Sequence, residues 1–313
     1  MELDYAATAL GAAGLGGGSA AELTDIGRLG RYWARTVWAA PDGRLRDAFC
    51  RTVSGFAADR RADVAGYLAG DIRFDDIVRI FIECLPEYAG ALDPVRCRAE
   101  LQPGARAVTA TVDATLSGCA LPREPLRILG YGADSSEFEY DIARVHGASG
   151  HRIHRFDPYA SPRADIIDLD AAQLNRLSDD LDLVTARWVL HHVEPAQRWA
   201  PLIACLSGLA DGGHFVLVEQ GDFADRDDPR RPRRLYRLLT AAIDAIANYG
   251  MRPSWFTDNG PDFGAAFHVD YLDATDLRTI ESGFSGHRVR RTVYPIRDGE
   301  RCGETVIVYH LGH

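Results

Sequence analysis

Residues 125–147 read PLRILGYGADSSEFEYDIARVHG, and the chain beyond them repeats the same alternation. HRIHRFDPYA (151–160), ADIIDLDAAQL (164–174), LDLVTARWVLHHVEP (181–195) and LADGGHFVLVEQGDF (209–223) follow in order. Short aliphatic runs, each closing on small or acidic residues, alternate with segments of helical periodicity. That alternation predicts an open, doubly wound α/β sheet, whose ligands lie at the carboxyl ends of the strands. The predicted strands are 127–131, 152–156, 165–169, 181–185 and 214–219.

Working outward, residues 1–20 are rich in alanine and glycine and are expected to form a flexible N-terminus. Residues 21–121 read as a helical cap domain. Leu23, Ile26, Leu29, Trp33 and Val37 recur at three- and four-residue steps until Pro41-Asp42-Gly43 breaks the run. Helical stretches are expected at 45–58, 61–69 and 74–85, and turns at Asp93-Pro94 and Gln102-Pro103-Gly104. The α/β domain then spans 122–313, with an insertion at 222–267 that holds a helix at 235–248 and an aromatic loop at 255–267. TDLRTIESGF (275–284) reads as a helix stopped at Gly283. HRVRRTVYPI (287–296) and ETVIVYHL (304–311) close the chain as strands joined by a turn at Asp298-Gly299.

Composition narrows the function. The 313 residues carry 46% hydrophobic and 26% charged side chains, which supports a packed core. A net charge of −10 argues against a nucleic-acid partner, since such proteins need a basic excess to displace counterions. The arginine-rich run at 225–237 (DRDDPRRPRRLYR) reads as a solvated helix start rather than a phosphate site. The 35 basic residues are all arginine, a mark of GC-rich coding DNA. Six cysteines lie scattered without a C-x-x-C pair, so neither a structural zinc site nor a disulfide framework is expected. No apolar run reaches the length of a membrane span, and the acidic start MELDYAATAL does not resemble a signal peptide. A cytoplasmic protein is expected, with no metal, no membrane and no nucleic acid among its partners.

Five ordered segments resemble the class I S-adenosylmethionine (SAM)-dependent methyltransferase family. LDLVTARWVLHHVEP carries the likeness furthest, since the family often shows F-D-L-V, then small residues, then V-L-H-H and an acidic-proline turn. LADGGHFVLVE resembles its L-x-P-G-G entry into the fifth strand, with Asp211-Gly212-Gly213 as the turn. The resemblance implies a seven-stranded, mostly parallel sheet with a C-terminal antiparallel pair, SAM as cofactor and a small-molecule substrate, in the setting of bacterial secondary metabolism such as antibiotic biosynthesis. A homodimer or a small partner subunit is the assembly expected. The first loop departs from the family. Where an acidic residue and G-x-G-x-G are usual, this chain has Gly130, keeps Gly132, and places Asp134 and Ser136 at the other glycine positions. That departure keeps open an alternative: an enzyme on the same scaffold that no longer uses SAM and performs an intramolecular displacement or cyclisation on a natural-product precursor.

The candidate cofactor-binding residues are Gly130, Gly132, Asp134, Asp157, Asp168, Asp170, Ala186 and Arg187. Asp157 ends the second strand, where an acidic residue accepts ribose hydroxyls. Asp168 or Asp170 would face the adenine amino group, and the spacing does not choose between them. Residues 185–187 would meet the cofactor through backbone groups. His191 and His192 are candidate proton-transfer groups because histidine titrates near neutrality. Glu219 and Asp222, past the fifth strand, are candidate bases. Arg31, Tyr32 and Arg35, at helical spacing, and Trp255 are candidate substrate contacts.

Overall fold

The computed structural model describes residues 43–119, 121, 125–133, 136–146, 150–157, 163–177, 181–220, 233–252, 269, 271–272, 274–284, 287–295 and 304–312. Among the described residues four helices come first: α1 (Arg44–Asp59), α2 (Arg61–Ala69), α3 (Phe74–Tyr88) and α4 (Pro94–Leu116). In α1, Leu45, Ala48, Phe49, Thr52, Val53 and Phe56 are buried at three- and four-residue steps, the stripe that commits a helix to a core. Phe56 meets Phe81 of α3 edge to face at 5.1 Å between centroids.

The expected turn at Gln102-Pro103-Gly104 is instead the interior of α4, a helix of 23 residues. Asp93-Pro94 does mark its start, with Asp93 Oδ1 accepting from the Val95 amide and proline at the first helical position. An interior proline costs about 3 kcal/mol. Burial of Val108, Val112 and Leu116, at about 1.5–3 kcal/mol each, outweighs it.

The sheet follows, with its strands and crossover helices. These are β1 (Arg127–Tyr131), α5 (Glu137–Val145), β2 (Arg152–Phe156), β3 (Ile167–Asp168), α6 (Ala171–Leu174), β4 (Leu181–Arg187), α7 (Pro195–Leu206), β5 (Leu209–Gln220), α8 (Arg233–Met251), α9 (Ala274–Ser282), β6 (Arg288–Pro295) and β7 (Glu304–Gly312). The seven strands lie in the order β3-β2-β1-β4-β5-β7-β6. The first five are parallel, while β7 runs antiparallel to both β5 and β6. The fold is thus the doubly wound, mostly parallel seven-stranded sheet, closed at one edge by an antiparallel pair. The third strand is shorter than 165–169, because residues 164–166 turn before pairing begins. Asp211-Gly212-Gly213 lies inside β5 rather than before it. Residues 210–213 bulge out opposite Asp182, between the Leu181↔Leu209 and Leu183↔His214 pairs. Gly212 takes φ +79 there.

Each sheet face has its own core. One face buries Ile128, Leu183, Val216 and Val218 against Val108 and Leu116 of α4 and Phe138 and Ile142 of α5. The other buries Leu129, Val184, Ala186 and Leu217 against α6, α7 and α9. Helices α1–α3, the part of α4 up to Pro103 and α8 form one compact unit, and the remainder of α4 with the sheet and its helices forms another. The helix read as an insertion of the α/β domain therefore packs with the helical region. Two of its arginines are engaged there: Arg234 Nη1 donates to the Tyr67 carbonyl at 2.7 Å, and Arg237 stacks on Phe74 at 4.4 Å.

Candidate functional site

β1 has β2 on one side and β4 on the other, so the chain leaves its carboxyl edge in opposite directions and opens a crevice there. Two loops line it, one after β1 and one after β4. Gly132 has φ +67, donates to the Phe156 carbonyl at 2.9 Å, and tolerates no Cβ. A methyl there would lie 2.1 Å from Val189 Cγ2, so the two loops touch. Two non-glycine residues with left-handed backbone flank this contact, Ser136 at φ 55 and Trp188 at φ 53. Each such residue stores about 1–3 kcal/mol, and such strain collects where function demands a backbone shape.

Beyond β4 the chain makes a 3-10 turn, Leu190–His192. Glu219 of β5 organises it. Its Oε1 accepts from the amides of Val189 (2.9 Å) and Leu190 (2.6 Å), and its Oε2 lies 2.5 Å from His191 Nδ1. Both side chains are wholly buried. With Nδ1 donating, Nε2 is the ring's acceptor nitrogen. The His191 ring also stacks on Tyr271 at 5.7 Å and packs against His192 at 4.2 Å. His192 is half-buried. Arg198 of α7, also wholly buried, closes the turn from its other end by donating from Nε and Nη2 to the Val193 carbonyl. Glu219, a candidate base in the sequence, is in the structure a wholly buried brace of this turn.

The space beside Gly130 of β1 is filled by an acid from α5. A Cβ on Gly130 would lie 2.6 Å from Ala133 Cβ and 3.0 Å from the Glu139 carboxyl, so no larger residue fits. Glu139 is 2% exposed, and its Oε1 accepts from Thr185 Oγ1 of β4 at 2.5 Å. Its Oε2 is buried and accepts no hydrogen bond among the described residues. Sequence reading missed Glu139. The available signal was its i+3 and i+4 relation to Ile142 and Ala143, which puts it on the buried face of α5.

Asp157 follows β2, is half-buried, and adjoins the Phe156 carbonyl that holds Gly132. Tyr131 stacks on Phe156 at 5.7 Å, and burial, with a smaller contribution from the charge of Asp157, pushes its hydroxyl pKa well up. Asp168 and Asp170 have separate duties. Asp168 receives the Nε of the fully buried Arg155 at 2.7 Å. Asp170 caps α6, exchanging bonds with Gln173 in a capping box, and so is spent on the helix. Ala186 lies in the core of the sheet, paired in register with Tyr131. The Arg187 guanidinium stacks on Phe138 (4.7 Å) and Trp188 (4.9 Å). Asp134, Asp222, Arg31, Tyr32, Arg35 and Trp255 lie outside the described residues.

No family model and no curated protein matches the chain. Solved structures do. Human N-acetylserotonin methyltransferase with SAM is similar at 12% identity and TM-score 0.44, over 89% of this chain and 74% of that one. The SAM-dependent methyltransferase SibL is similar at 16% and 0.45, over 86% and 74%. An O-methyltransferase family protein of Burkholderia thailandensis is similar at 10% and 0.41, over 92% and 71%. At these values the fold rests on the chain's own strand order and register.

Proposed function

We propose that the protein is a SAM-dependent methyltransferase acting on a small molecule, within bacterial secondary metabolism. One observation carries the reading: the Gly132 turn, the half-buried Asp157 and the braced His191–His192 turn converge on the carboxyl edge of β1, β2 and β4. The donor set suits an adenine nucleoside. The Asp157 carboxyl group would take the ribose hydroxyls, Asp168 stands at the neighbouring strand end, and the Gly132 backbone lets a ligand approach closely. When bound, SAM supplies an electrophilic methyl group. The chain's own part is to hold the acceptor in line and to take up its proton, so much of the rate comes from positioning. His192, the less buried ring, receives that proton. Glu219 and His191 keep the turn that carries it in place, and burial of both excludes water from that brace.

Calorimetric titration with SAM and S-adenosylhomocysteine tests the reading. Micromolar binding, lowered at least tenfold by Asp157→Ala, is the expected result. A second reading follows from the altered first loop, where Gly130 stands in the acidic position: displacement or ring closure on a natural-product precursor without SAM. Absence of binding at millimolar ligand would overturn the first reading and leave the second.

A further inference from the structure

Glu139 is a buried acid at the carboxyl edge of the sheet with one of its two oxygens in use among the described residues. Its carboxyl group is buried at the carboxyl edge of β1 and β4, and one oxygen is held by Thr185. The other oxygen is enclosed and meets no donor among the described residues. An enclosed acceptor without a donor is destabilising, and persists where a ligand, ion or water completes it. The group also fills the space that a side chain on Gly130 would need, so the two positions have exchanged roles: a glycine on the strand and an acid from the helix. Thr185 pairs in register with Gly130, which fixes the helix-borne carboxyl over that strand position.

We propose that Glu139 receives a cationic amino group of the ligand. The proposal rests on the SAM reading above, in which that group is the α-ammonium of the methionine tail. A charge-assisted hydrogen bond to the second oxygen would complete the carboxyl.

The test uses the full chain, the variant Glu139→Gln, and two probes. S-Adenosylhomocysteine carries the ammonium; 5′-methylthioadenosine has the same nucleoside without the amino-acid tail. Glutamine keeps the shape and the acceptor for Thr185. The expected result is a loss of roughly tenfold or more in affinity for S-adenosylhomocysteine, with affinity for 5′-methylthioadenosine within about twofold of the parent. Unchanged affinity for both probes would overturn the proposal, as would equal losses for both, which would mark a structural carboxyl. A parent chain that binds 5′-methylthioadenosine as tightly as S-adenosylhomocysteine would overturn it while leaving the nucleoside site intact. A parent chain that binds neither probe would overturn the SAM reading itself, and this proposal with it.

Discussion

Replacing Glu219 by alanine should unlock the turn after β4. The carboxyl group accepts from the amides of Val189 and Leu190 and pairs with the His191 ring, all within wholly buried surroundings. Alanine leaves these donors enclosed without an acceptor, at about 1–3 kcal/mol each. The loss should therefore be about 3 kcal/mol or more, which is about 10 °C in melting temperature for a domain of this size. Glu219→Gln separates two contributions. Its amide oxygen still serves both backbone donors, but its NH2 faces His191 Nδ1, which must then become the ring's acceptor. That variant should lose only about 1 kcal/mol and should move the ring proton to Nε2. Urea unfolding followed by circular dichroism reads the stabilities, and 15N shifts of the imidazole read the tautomer. Glu219→Ala within 1 kcal/mol of the parent would refute the brace, because the amides would then have found other acceptors. Glu219→Gln with an unchanged tautomer would refute the assigned donor direction.

Other consequences follow from the same geometry. Gly132→Ala combines a left-handed φ with a methyl 2.1 Å from Val189 Cγ2, and should cost about 2–4 kcal/mol by denaturant titration. Val189→Gly in the same chain should recover the steric part alone. Asp170→Ala should cost about 1 kcal/mol through the lost cap and leave nucleoside affinity unchanged; weakened binding would return Asp170 to the site. Stability should also depend on pH through His214, buried beside His310 across the β5–β7 pair at 3.1 Å. Burial, aided by His310, Arg290 and His146, lowers its pKa to about 4 from 6.5. The unfolded chain then binds the proton first, so stability is full above pH 6.5 and falls towards pH 4, by about 3 kcal/mol in all. His214→Phe should flatten that slope in unfolding experiments between pH 4 and 7, and an unaltered slope would rule the residue out.

The sequence by itself determined the sheet. The runs at 127–131 and 152–156 are strands with those bounds, and RILGY carries the near-continuous apolar signature of a parallel strand buried on both faces. The sequence placed the ligand at the carboxyl ends of the strands, and the strand order of the structure puts the crevice between β1 and β4. Local signals failed where a distant partner decided the outcome. Pro103 reads as a breaker, yet the helix runs through it because residues further along are buried in the sheet's core. Asp168 and Asp170 look alike in sequence, and only the buried Arg155 beside one and Gln173 beside the other give them separate duties. Glu219 was legible as a carboxyl at a strand end. That it braces a histidine turn depends on the β4–β5 register, which no single segment encodes. Glu139 was the deepest of these omissions. In the sequence it is one of two acids at a helix start, where carboxylates are ordinary. Docking of α5 on the sheet turns one of them inward, over a glycine that leaves room for it. Local periodicity is a property of the chain, whereas enclosure of a charge-bearing group is a property of the packed molecule, and the site is made of the second kind.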